Sequence, residues 1–190
     1  MTILISHLPD QLTVDKSIEL RAKSSDSFEE FSKIVKTNRE FLGQWLPWAV
    51  DAPNESSVEH YQLAPIKKEK NESADWDIYC EGKLAGAIGA MQRDPSRVVI
   101  ELGYWLAENQ NGKGIMTKCT NAIVNLLFAE TETPLIEIGA DIKNLKSRSI
   151  PERCGFKYDR EFTNNPNCPQ VEVGVFYSLT REEWESKKLK

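Results

Sequence analysis

The hydrophobic positions of this chain change period repeatedly, and each change marks an element. Val98, Val99 and Ile100 open an apolar run that continues through Glu101-Leu102-Gly103-Tyr104-Trp105-Leu106, β-branched and aromatic as in a buried strand. A polar turn, Glu108-Asn109-Gln110-Asn111, leads into Gly112-Lys113-Gly114. Beyond it Ile115, Met116, Cys119, Ile123, Leu126 and Leu127 recur at helical spacing. Upstream, Leu12 to Val14 suggests an edge strand or arm, and Ile18 to Ala22 alternates as a strand does. Ser24 to Ser27 offers an N-cap to a helix striped by Phe28, Phe31, Ile34 and Val35. Leu42 to Trp48 is broken by Gly43 and Pro47, and reads either as the packed end of a helix or as the wall of a pocket. Residues 55–72 form a helix that Pro65 should kink or divide. Trp76 to Cys80 and Lys83 to Ile88 make a hairpin about Glu81-Gly82. After the central helix come a strand at Leu135 to Ala140, a helix from Asn144 closed by Gly155, a last strand at Val171 to Leu179 and a short terminal helix. Strand, helix, strand makes a βαβ unit behind an antiparallel meander, so the fold class is mixed α/β in one domain over residues 1–190.

Composition narrows the function classes. A net charge of −5 disfavours nucleic acid, which needs a basic face. No apolar run approaches the ~20 residues that span a bilayer, and Met1 to Ser6 lacks the basic start of a signal peptide, so no membrane partner and a cytoplasmic location are expected. Cys80, Cys119, Cys154 and Cys168 lie far apart, and His7 and His60 are the only histidines, so no metal site is expected and the thiols are read as reduced and structural.

The candidate chemistry sits at the glycine turn. A strand, a glycine-rich turn and a helix point unpaired amides and the positive end of a dipole at one spot, where a phosphate or diphosphate fits, with Lys113 adding a cation. The same pattern also describes a plain solvated turn. It matches neither the P-loop frame nor the dinucleotide fingerprint. Glu101 is a carboxylate at the start of an apolar strand, and reads either as a base or as an acceptor for neighbouring donors.

Asn111-Gly112-Lys113-Gly114-Ile115-Met116 resembles the Gln/Arg-x-x-Gly-x-Gly/Ala signature of the GNAT acyltransferases, with Asn111 and Met116 departing from it. Asn144-Leu145-Lys146-Ser147 with Gly155-Phe156 resembles the Asn-x-x-Ser…Gly-Phe segment of the branch holding the RimJ/RimL ribosomal-protein N-terminal acetyltransferases. Glu101 to Tyr104 is similar to that branch's Glu-Ile-Gly-Tyr strand, and Leu42 to Trp48 to its Leu-x-x-Trp-Leu-Pro-Trp segment. The resemblance implies a mostly antiparallel twisted sheet of about six to seven strands, helices on both faces, and a splayed strand pair that takes acetyl-CoA. It places the pantetheine and acetyl carbonyl on the main chain of Tyr104, Trp105 and Leu106. The diphosphate falls to Asn111, Gly112, Lys113, Gly114, Ile115, Met116 and Thr117, and the coenzyme arm to Asn144 and Ser147. Ser147 would serve the departing thiolate, or else cap its helix beside Asn144; Tyr177 is a second acid or a core residue. Trp45, Trp48 and Glu101 would face the acceptor. The branch's glutamate after Gly-Phe has no match here, the nearest carboxylate being Glu161. The implied activity is acetyl transfer by direct attack of a primary amine, foremost a protein N-terminus. A small-molecule amine is the alternative acceptor, and a non-catalytic acyl-CoA-binding module the alternative class. A homodimer is left open.

Overall fold

The computed structural model describes residues 5–92, 98–163 and 171–188. Within them lie β1 (Gln11–Thr13), β2 (Ile18–Ala22), β3 (Ser73–Cys80), β4 (Lys83–Met91), β5 (Val99–Leu106), β6 (Leu135–Asp141), β7 (Lys157–Phe162) and β8 (Gly174–Thr180). They form an eight-stranded sheet in the order β1-β2-β3-β4-β5-β6-β8-β7, antiparallel throughout except where β5 meets β6. The strand number exceeds the expected six to seven because of β7 at one edge of the sheet. β1 is the edge strand suggested near Leu12 to Val14, whereas β7 carries mostly exposed side chains and so has no apolar rhythm to betray it.

The helices are α1 (Phe28–Gly43), α2 (Trp48–Asp51), α3 (Glu55–Glu69), α4 (Ile115–Glu130), α5 (Leu145–Arg153) and α6 (Arg181–Lys188). One buried cluster unites the sheet with Ile115, Met116, Cys119 and Ile123 of α4, Phe156 behind α5 and Trp184 of α6. A second unites Tyr79 and Leu84 of the opposite face with Phe31 and Val35 of α1, Ala49 of α2 and Tyr61 of α3. Both faces of the sheet are therefore helix-covered.

Two local expectations change. Helix α3 runs unbroken through Pro65, whose ring lies on the exposed face, while Tyr61 and Ala64 beside it are buried and hold the helix to the core. Ser27 does not cap α1 with its side chain; its hydroxyl donates to Asp77 Oδ2 at 2.6 Å and to the Ser24 carbonyl. The β3–β4 hairpin turns on Glu81 (φ 51°) and Gly82 (φ 75°), the paired positive φ of a tight hairpin whose twist suits its strands.

Candidate active site

The site begins where two parallel strands part. Val99 to Leu102 of β5 pair with Leu135 to Ile138 of β6, and the pairing stops there. On their outer sides both strands stay paired, β5 with β4 to Leu106 and β6 with β8 to Asp141. Among the described residues, the β6 side of β5 is thus an open seam from Gly103 onward, with main-chain groups left for a ligand. Gly86 keeps β4 against β5 there, since a Cβ on it would strike the Trp105 carbonyl and Leu106.

The chain leaves the seam through a 3₁₀ turn, Glu108–Gln110, and enters α4 through glycines with φ of 77° at Gly112 and 74° at Gly114. Gly114 is the N-cap residue, and among the described residues no side chain caps the helix. The Lys118 amide is bonded back to the Gly114 carbonyl, so those of Ile115, Met116 and Thr117 belong to the unpartnered first turn. A Cβ at Gly112 or Gly114 would meet nothing within 4 Å, so glycine is required by the left-handed backbone rather than by crowding. The side chains of Ile115 and Met116 are buried, leaving only their main chain for an anion. The Asn111 amide is spent inside the turn, donating to the carbonyls of Ala107 (2.9 Å) and Glu108 (3.1 Å), and Lys113 Nζ donates to Gln110 Oε1.

Across the seam, α5 starts with Asn144, whose Oδ1 accepts the Ser147 N–H at 3.1 Å. The cap therefore uses the amide of Ser147; its half-buried hydroxyl has no partner among the described residues. Tyr104 of β5 donates its hydroxyl to the Ser147 carbonyl at 3.1 Å, tying the seam's edge to α5, and burial pushes that phenol above its ordinary range. Tyr177 is 1 % exposed and committed elsewhere, accepting from Arg148 Nε and donating to Glu152 Oε1. It holds α5 to β8, the core role.

Side chains alternate along β5. Ile100, Leu102 and Leu106 join the α4 core, which turns Glu101, Gly103 and Trp105 toward the α1–α3 face. Trp105 meets Trp48 edge to face (centroids 5.9 Å apart) and Phe31 (6.2 Å), and Phe31 stacks on Trp48. Trp48 keeps 40 % of its surface exposed. Trp45 is half-buried and outside this ring cluster. Glu101 stands level with Glu137 across the parallel pair. Glu137 is 3 % exposed and takes both arms of Arg160, at 2.8 and 3.0 Å, a fork that lies over the Phe176 ring. Glu137, at the seam's closed end, is held in that ion pair. Glu161 lies exposed on β7, accepting from Tyr158. Residues 164–170, Cys168 among them, lie outside the described residues.

The thiols among the described residues are held protonated by burial. Burial pushes the Cys119 thiol up to about 12 and that of Cys154 up to about 11, and Cys80 also rises. Among the described residues no group of ligands could hold a metal ion, and no helix is long and apolar enough to cross a membrane. The sequence missed Phe31 as part of the ring cluster and Arg160 as Glu137's partner. Helical spacing puts Phe31 on a buried stripe without saying which strand it meets, and Arg160 sits on a strand with no apolar rhythm.

Comparison with known proteins agrees with this fold. The family model described as "Acetyltransferase (GNAT) domain" matches residues 17–157. YdaF of Bacillus subtilis (strain 168), named as a candidate ribosomal N-acetyltransferase, is 30% identical over 181 residues, covering 92% of this chain and 97% of its own. The ribosomal-protein-serine acetyltransferase of Escherichia coli (strain K12) is 23% identical over 150 residues, 78% of this chain and 84% of its own. Among solved structures, the microcin C7 self-immunity acetyltransferase MccE, in complex with acetyl-CoA and AMP, superposes with a TM-score of 0.83 at 22% identity, covering 93% of this chain and 99% of that one. RimL, the ribosomal L7/L12 α-N-protein acetyltransferase in complex with coenzyme A, does so with 0.82 at 20% identity, covering 96% and 99%.

Proposed function

The chain belongs to the GNAT acetyltransferase family, and from that premise we propose that it moves acetyl from acetyl-CoA to a primary amine, foremost the α-amine of a ribosomal protein. The observation that carries this reading is the open seam of β5 and β6 lying beside an uncapped helix start with glycines at left-handed φ. The amides of Gly112 to Thr117 would take the diphosphate, with Lys113 beside them and Asn111 bracing the turn. The main chain of Tyr104, Trp105 and Leu106 would hold the pantetheine and polarise the acetyl carbonyl as negative charge develops on it. The amine attacks that carbon directly, and the tetrahedral adduct collapses with loss of the coenzyme A thiolate. Ser147 Oγ would donate to that sulfur from the far side of the seam, next to Asn144. Glu101 would accept the proton released by the amine, through water, while Trp45 and Trp48 form the acceptor's wall. Weak base assistance suits an α-amine, whose pKa of about 8 leaves part of it neutral at pH 7; lysine, near ~10.4, asks for more. The relatives in Bacillus subtilis and Escherichia coli named for ribosomal proteins favour the same acceptor, and with it a cytoplasmic site of action.

The test is acetyl-CoA turnover against peptides of varied N-terminus and a panel of small amines. Turnover on peptide α-amines with sequential kinetics is expected. Turnover confined to small amines overturns the acceptor. An acetyl group trapped on Cys119 or another residue overturns direct attack. Normal coenzyme A affinity with no turnover on any amine would make the chain a binding module.

A further inference from the structure

Helix α1 touches the cofactor side of the seam with one stripe. Ile34, Asn38 and Phe41 lie four and three residues apart and so share a face. Asn38 Oδ1 accepts the main-chain N–H of Glu108 at 2.9 Å, across 70 residues of sequence. Its own amide donates to the Ile34 carbonyl at 2.8 Å, which fixes which end of the carboxamide meets Glu108. One turn on, the Phe41 ring lies under Lys146 Nζ at 6.0 Å, at the start of α5. The same helix, through Phe31, packs on Trp48 and Trp105, the aromatic wall of the acceptor side.

The turn that Asn38 grips leads directly into the cradle. The Ala107 amide bonds the Ala85 carbonyl of β4, Asn111 folds back on Ala107 and Glu108, and Gly112 follows. Two anchors thus hold the turn, one from the sheet and one from α1. We infer that Asn38 is a positioning residue for acetyl transfer, fixing the diphosphate turn against α1 so that occupancy of the cradle is felt at the acceptor wall. It touches neither the reacting carbon nor the diphosphate; it acts through the Glu108 amide. The inference rests on the seam being the acetyl-CoA site, and wild-type binding tests that reading separately.

The experiment compares wild type, Asn38→Leu and Asn38→Asp. Acetyl-CoA affinity is measured by calorimetry and amide exchange is followed with and without acetyl-CoA. One backbone hydrogen bond contributes ~1 kcal/mol, so Asn38→Leu should weaken acetyl-CoA binding about fivefold. Asn38→Asp keeps an oxygen for the Glu108 amide but loses the donor to the Ile34 carbonyl, so it should recover only part of that loss. In the wild type acetyl-CoA should slow exchange both at 108–117 and at 38–48; in Asn38→Leu it should slow only the first. Ligand-induced protection at 38–48 that survives in Asn38→Leu, or equal affinities in wild type and Asn38→Leu, overturns the inference. A wild type that does not bind acetyl-CoA overturns the underlying reading instead.

Discussion

Ser147 presents two groups to two tasks. Its amide serves the Asn144 cap while its hydroxyl makes no bond among the described residues. Removing that hydroxyl should leave α5 folded and lower kcat about 10- to 100-fold with little change in the acetyl-CoA KM, because the loss falls on the departing thiolate. Steady-state kinetics of Ser147→Ala check this, and an unchanged kcat would return Ser147 to a purely structural role. Glu101→Gln should lower kcat/KM most at low pH, where less of the amine is already neutral; a uniform loss at all pH would mark Glu101 as a structural acceptor. Trp48→Ala removes an exposed ring stacked on Phe31, and should raise the acceptor's KM more than that of acetyl-CoA. These residues were legible beforehand because residue type and order carried them. Tyr104 shows the limit. The sequence offered its main chain, whereas its hydroxyl's bond to Ser147, 43 positions away, follows only from how α5 packs on the sheet.

At the scale of elements, the start of α4 concentrates the constraint. Gly114 sits at φ 74° with open space around the position a Cβ would take. Gly114→Ala therefore costs only the left-handed backbone, about 1–2 kcal/mol, and a melting temperature lowered by several degrees. It should also raise the acetyl-CoA KM, since relief of that strain turns amides away from the anion. Thermal melts alongside kinetics separate the two effects; a stability loss with unchanged KM would dissociate the turn from cofactor binding. The turn and helix were readable because glycine spacing and helical period are local. Strand β7 was not, since Lys157, Tyr158 and Asp159 are exposed and β8 alone recruits them to the sheet. Pro65 misled for the opposite reason: a local rule against proline gives way when packing of the helix's buried residues, Tyr61 and Ala64, holds it together around an exposed ring.

Over the whole molecule, a buried polar cluster lies under α1 and α3, joined to the site by rings. Lys23, 7 % exposed, sets its Nζ 3.1 Å from His60 Nε2 and over the Tyr61 ring. Tyr61 donates to Asp77 at 3.1 Å and packs on Phe31, which reaches Trp105. Burial, and then the Lys23 ammonium, lower the His60 pKa to about 4 from 6.5. The unfolded chain then binds a proton that the folded one refuses, so this group's stabilisation is full above pH 6.5 and is lost as pH falls toward about 4. At 1.36 kcal/mol per pH unit the loss is on the order of 3 kcal/mol. Burial raises the Asp77 carboxyl, which opposes part of this loss. Denaturant unfolding at several pH values should show a steeper decline in wild type than in His60→Gln, whose amide can still accept from Lys23; parallel slopes would refute the assignment.

What the sequence determined by itself was whatever depends on neighbours in the chain: the period of each element, the glycines where φ must be positive, and the order of motifs that mark the family. The tertiary structure alone decided where strands part, which carboxylate is taken by Arg160, and which rings meet at the seam. Those outcomes depend on contacts between residues distant in the chain, and such contacts are fixed by packing and pairing geometry rather than by local preference.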